Sequence, residues 1–164
     1  MPDMLVKLYN LPELHPIISQ QQSQGIIIRR GLAPEKHRVL TWIADRHSQR
    51  WVSECDVAFA RQPVSCFIAT EESALLGFAC YDSTRLNFFG PMAVGESARG
   101  RGTGKALLLV CLHDMFAQGY AYAIIGAVGP TDFYAKVVGA TVIPDSSPGI
   151  YSGILPDPDR KNHD

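Results

Sequence analysis

The chain predicts a mixed α/β (α+β) domain, a central sheet covered by helices, on three observations. Apolar runs of strand length alternate with runs of helical periodicity along most of the sequence. Two neighbouring apolar runs, 66–70 and 75–81, are joined by Glu71-Glu72-Ser73-Ala74, which reads as an antiparallel hairpin. A third run, 86–94, leads into a glycine-rich turn and then an apolar helix. The 164 residues suit one domain over 1–155, with 1–25 as an added strand–helix leader and 156–164 as a polar, frayed tail.

The elements follow in order. Residues 4–9 form a short apolar strand closed by Asn10-Leu11-Pro12. Residues 17–24 make a weak helix whose glutamines, Gln20 to Gln22 and Gln24, read as a solvated face. The β-branched run 26–30 is a strand. Pro34 suits a first helical position, and Val39, Leu40 and Ile43 share one face of the helix after it. A second helix spans 51–60, with Trp51, Cys55 and Phe59 on a stripe and Glu54 at its flank. The glutamates of the hairpin read as solvated turn charges. Strand 86–94 is interrupted by Gly90-Pro91, a bulge or a place where pairing stops. A helix over 102–118 ends at Gly119, and the continuous apolar run 122–128 suits a central strand. Thr131 or Asp132 caps a short helix over 133–138, stopped by Gly139, and 141–143 and 150–155 are closing strands.

Composition excludes several classes. A formal net charge of −1 offers no global field for nucleic acid or an anionic membrane. The longest apolar runs are too short to span a bilayer, and the N-terminus shows no secretory signal. Cys55, Cys66, Cys80 and Cys111 sit among apolar residues without metal-ligand spacing, so they read as buried free thiols in a reduced, cytoplasmic protein with no metal.

Function is concentrated in Arg99-Gly100-Arg101-Gly102-Thr103-Gly104-Lys105. A tight turn entering a helix exposes backbone N–H groups and the positive end of the helix dipole, which together bind anions, phosphate above all. A P-loop is excluded: Arg99 stands where its first glycine belongs, and Ala106 replaces the magnesium-binding hydroxyl. A dinucleotide fingerprint also fails, since Lys105 or Leu107 falls where its last glycine is needed.

What remains is R-x-x-G-x-G at Arg99–Gly104, preceded by Met92-Ala93-Val94. This segment resembles the acyl-CoA pyrophosphate loop of the GNAT superfamily of N-acyltransferases, and the element order from 26 to 155 is similar to that fold. The resemblance implies a mixed, mostly antiparallel sheet splayed between strand Leu86 to Val94 and strand Tyr122 to Val128, with helices on both faces. It implies that backbone amides of Arg99, Gly100, Arg101, Gly102, Thr103, Gly104 and Lys105 hold the pyrophosphate of acetyl-CoA. The backbone of Met92, Ala93 and Val94 would pair with the pantetheine arm, and a backbone N–H near Ala93 or Val94 would stabilise an oxyanion. Arg99, Arg101 and Lys105 are candidates to reach nucleotide phosphates.

Phe133-Tyr134 resembles the family's aromatic pair, so Tyr134 is the candidate general acid for the leaving thiolate. The following Ala135 to Ala140 carries one residue more than the family's F-Y-x-x-x-G pattern and no aromatic after the glycine. Glu54 is the candidate general base, with Asp56 and Asp82 as alternatives. The expected activity is acetyl transfer from acetyl-CoA to the primary amine of a small or amino-acid-like acceptor. The alternatives are a non-catalytic acyl-CoA sensor and a protein N-acetyltransferase. The leader is expected to cover a sheet edge, help form a homodimer or wall the acceptor pocket.

Overall fold

The computed structural model describes residues 1–157. Its seven strands are β1 (Met4–Lys7), β2 (Ile27–Arg30), β3 (Cys66–Glu71), β4 (Ala74–Tyr81), β5 (Phe88–Val94), β6 (Tyr122–Ile125) and β7 (Thr141–Val142). They form one sheet in the order β2-β3-β4-β5-β6-β1-β7. All neighbours are antiparallel except β5 and β6, which run parallel. The helices are α1 (His15–Ser23), α2 (Lys36–Ala44), α3 (Gln49–Ala60), α4 (Thr103–Ala117) and α5 (Thr131–Val138).

The period-two alternation of β3 and β4 sorts the core into two layers. Phe67, Ala69, Ala79 and Tyr81 pack with α4 on one face. Cys66, Ile68, Phe78 and Cys80 pack under α2 and α3 on the other. Helix α4 is buried almost all round because the sheet covers one side while α1 and the 3₁₀ turn Leu8–Asn10 pack on it as well. The hairpin turns at Glu72-Ser73, both with positive φ (47° and 68°), the conformation that matches the twist of two-residue hairpins. All four cysteines are buried and unpaired. The thiols of Cys55, Cys66 and Cys80 lie within 4.8 Å of one another, a grouping that their spacing along the chain conceals.

Several expectations need correction. Residues 150–155 are not a strand; the chain makes a 3₁₀ turn at Gly149–Tyr151 instead. Strand β6 stops at Ile125, three residues short, because Gly126 and Ala127 (φ 47°) turn the chain away. Neither Thr131 nor Asp132 caps α5, whose N-cap is Pro130. The leader is no edge cover: β1 lies inside the sheet, between β6 and β7. Of the tail, 158–164 lies outside the described residues.

Candidate active site

The site begins where β5 and β6 part. They pair only through Phe88 with Ile124 and Phe89 with Ile125. At Gly90 (φ 113°) strand β5 changes direction, and it continues to Val94 paired with β4 alone. The Gly90 carbonyl is held by the Ser83 hydroxyl at 2.9 Å. Beyond Phe89 one edge of β5 therefore stands open. Gly95 donates its N–H to the Leu76 carbonyl at 2.7 Å. Antiparallel alternation then turns the N–H and C=O groups of Met92 and Val94 toward the open edge and those of Ala93 toward β4.

The glycine turn closes one end of this edge. Gly100 and Gly102 both take left-handed conformations (φ 74° and 82°), which glycine adopts without a Cβ penalty. From Gly100 through Lys105, no backbone N–H donates to another protein group among the described residues. These donors border a hollow of about 300 Å³ lined by Val94, Ala98, Arg99, Gly100, Gly102, Thr103, Gly104, Lys105 and Phe133. Unpaired donors, the start of a 15-residue helix, and two cations, Arg99 and Lys105, with no ion-pair partner among the described residues gather at this hollow, and that chemistry suits an anion such as phosphate.

Arg101 behaves differently. Its guanidinium makes a bidentate pair with Glu71 (2.7 and 3.0 Å) and also bonds Gln24. Glu71 is thus an ion-pair partner rather than a free turn charge. Of the glutamines expected to form a solvated face, Gln20 and Gln22 are exposed, but Gln21 is fully buried and bonds both the Arg101 carbonyl and the Thr103 hydroxyl, and Gln24 bonds Arg101. The available signal is helical spacing: Gln21 falls at i+4 from Ile17 and i+7 from Leu14, both of which pack on the core.

At the other end of the open edge, Tyr134 packs against Phe89 (ring centroids 6.5 Å apart) and Phe133 (5.0 Å). Its hydroxyl has no hydrogen-bond partner among the described residues, and burial raises its pKa above the ordinary phenol value. A phenol so placed stays protonated at neutral pH.

Glu54 projects from α3 and accepts a hydrogen bond from Thr84. Burial raises its pKa, against the lowering effects of that bond and of the Arg50 charge. Burial, with lesser contributions from the Glu54 and Asp3 charges, pushes the pKa of Tyr151, in the turn that replaces the expected last strand, up to about 12. Its hydroxyl lies 2.6 Å from where a Cβ on residue 126 would stand, so a side chain at Gly126 would have to displace the Tyr151 hydroxyl and crowd the Phe88 ring. Arg50 donates to the Leu155 carbonyl, fastening the C-terminal segment to α3. Thr84 and Tyr151 carry no motif and were not legible beforehand. Asp56 and Asp82, the alternative bases, are already engaged. Asp56 pairs with Lys36. Asp82 accepts from the Asn87 N–H and the Tyr120 hydroxyl and pairs with Arg61.

The acetyltransferase (GNAT) family model matches residues 34–139. No curated protein matches the chain. Among solved structures, the chain is similar to the GCN5-related glucosamine N-acetyltransferase region of a fungal multi-domain GH3 β-N-acetylglucosaminidase, with TM-score 0.70 and 14% identity over 87% of this chain and 19% of that one. It is also similar to a GCN5-related N-acetyltransferase from Sphaerobacter thermophilus, with TM-score 0.66 and 17% identity over 87% and 48%. A third, from Kribbella flavida, gives TM-score 0.55 and 12% identity over 86% and 53%. The chain spans about a fifth to about a half of the length of these proteins. The fold is the one these N-acetyltransferases share. The chain belongs to the acetyltransferase (GNAT) family. The matched segment begins after β1, α1 and β2 and ends before β7, although all three of those strands are in the sheet.

Proposed function

We propose that the protein transfers an acetyl group from acetyl-CoA to the primary amine of a small acceptor by direct attack. The observation that carries this is the row of unpaired backbone N–H groups from Gly100 to Lys105, set beside Arg99 and Lys105 at one end of the open edge of β5. These groups would hold the pyrophosphate, and the open-edge amides of Met92 and Val94 would bind the pantetheine arm and the acyl oxygen. Bound acetyl-CoA supplies the thioester whose C–S bond breaks as the C–N bond forms.

Tyr134 holds a proton at its hydroxyl for the departing sulfur. Glu54 takes the proton that the amine must lose. An alkylamine of pKa near 10 is mostly protonated at neutral pH, so a carboxylate on the acceptor side both attracts the cation and deprotonates it. Glu54, Thr84 and Tyr151 form that acceptor side. A small diffusible amine fits a chain of net charge −1 better than nucleic acid or a membrane surface does. No helix among the described residues is long and apolar enough to cross a membrane. Four unpaired buried thiols suit the reducing cytoplasm.

The test is CoA-dependent thermal stabilisation followed by thiol release from acetyl-CoA with a panel of small amines. Saturation at a hundred times Kd is expected to stabilise by about 2.7 kcal/mol. Tyr134→Phe should lower kcat about a hundredfold or more while leaving CoA affinity within about twofold. A protein stabilised by neither CoA nor acetyl-CoA would overturn the reading, and an unchanged kcat in Tyr134→Phe would remove Tyr134 from the chemistry.

A further inference from the structure

We propose that Gln21 is a positioning residue for the anion-binding turn. It acts from α1, outside the segment that matches the family, and it turns the Gly102 N–H into the hollow. The inference rests on the reading that this hollow takes the pyrophosphate of an acyl-CoA.

Gln21 has no solvent exposure. A carboxamide buried in this way must satisfy a donor and an acceptor at once, or it costs more than the hydrocarbon that would otherwise fill the space. Gln21 does both within one turn of chain. Its Nε2 donates to the Arg101 carbonyl at 2.9 Å, and its Oε1 accepts from the Thr103 hydroxyl at 2.9 Å. The two contacts straddle Gly102, whose Cβ position would lie 3.3 Å from Gln21 Nε2. Gln24 adds a second donor to the same Arg101 carbonyl, at 3.1 Å.

The consequence follows from the geometry of one peptide unit. In a trans peptide the C=O of residue i and the N–H of residue i+1 point in opposite directions. Holding the Arg101 carbonyl against α1 therefore directs the Gly102 N–H to the opposite side, where Gly102 lines the hollow. Thr103 is held in the same way: its hydroxyl donates to Gln21, and its N–H has no partner among the described residues.

The outer side of the turn is fastened throughout. The Arg101 guanidinium is held by Glu71 and Gln24, so the turn's polar groups on that side are committed to α1 and β3. Gly100 and Gly102 can rotate freely as isolated residues. The α1 contacts select the one arrangement in which their donors converge. An anion then binds without first paying to order the loop.

Glutamine is suited to this task in a way its neighbours in chemistry are not. Methionine fills the same space with neither bond. Glutamate keeps the acceptor for Thr103 but loses the donor to Arg101, and it sets a negative charge behind an anion site.

The experiment uses the full-length protein, with CoA and inorganic pyrophosphate as ligands for Kd and acetyl-CoA for steady-state kinetics. Gln21→Met is expected to raise the CoA Kd and the acetyl-CoA KM about tenfold, with kcat at saturation within about twofold. Gln21→Glu should weaken both at least as much. Thr103→Val, which removes one contact at nearly constant shape, should weaken them by about threefold, and it carries the test if Gln21→Met fails to fold. Folded variants with a lowered Tm but wild-type CoA affinity would overturn the proposal and leave Gln21 as packing. If the wild-type protein binds neither CoA nor pyrophosphate, the pyrophosphate reading itself fails and takes this inference with it. Wild-type binding with unchanged Gln21 and Thr103 variants defeats the positioning role alone.

Discussion

Individual side chains show how the same residue type is put to different uses by its surroundings. Arg99, Arg101 and Lys105 look equivalent in a basic, glycine-rich segment. Glu71 and Gln24 take up Arg101, while Arg99 and Lys105 have no acidic partner among the described residues, and no local pattern distinguishes the three. Glu54 was nameable because it flanks an apolar stripe on a helix. Its hydrogen-bond partner Thr84 was not, nor was Tyr151, whose phenol feels the Glu54 charge, because both come from segments far from α3 in the chain. The upward shift of Glu54 leads to a test with a definite sign. The base must be ionised to act, so kcat/KM should fall with decreasing pH through a pKa above the ordinary carboxylate value. Thr84→Val removes a lowering influence and should move that limb further up in pH. For stability, a folded pKa above the unfolded one makes ionised Glu54 a cost to folding. The cost is absent below the unfolded value and fully present above the folded one. Glu54→Gln should therefore lower turnover about a hundredfold without lowering Tm at neutral pH. A flat pH profile between 5 and 8 that is unaffected by Thr84→Val would return the base role to solvent.

The glycine turn and α4 are the clearest case of an element whose form could be read in advance. Three glycines at a helix start are expensive unless the backbone must stay bare, and the structure leaves those donors unpaired. The direction in which each glycine presents its hydrogens was hidden. A Cβ on Gly102 would turn toward Gln21, whereas one on Gly104 would meet Val94 Cγ2 at 3.6 Å, on the wall of the hollow. Gly104→Glu should thus keep or slightly raise Tm, since it replaces glycine near a helix N-terminus with an acidic residue. The same change should abolish the thermal shift with CoA, because its carboxylate occupies the anion's place. A retained CoA shift would relocate the pyrophosphate. Residues 150–155 mark the opposite limit. They are apolar enough for a strand, but the chain turns at Gly149–Tyr151 to bring Tyr151 over Gly126, a long-range contact that local pattern cannot register.

Across the whole molecule, the leader changes most between expectation and structure. β1 is an interior strand, and Val6 has no solvent exposure. Val6→Ala should cost about 2 kcal/mol, or about 4–8 °C in Tm, measurable by thermal melting; an accessory leader would tolerate it unchanged. Helix α1, from the same leader, stands behind the glycine turn. The mixed sheet, its two helical layers, the interruption at Gly90-Pro91 and the glycine turn with its bare backbone were all legible in the chain. Each rests on signals within a few residues of itself: hydrophobic period, turn chemistry, and the need for bare backbone. The place of β1 between β6 and β7, the commitment of Arg101 to Glu71, the bracing by Gln21 and the bond of Thr84 to Glu54 were not. Each of those joins segments far apart along the chain, and such contacts are chosen by the packing of the folded whole, where a residue's partner is set by which faces the sheet brings together.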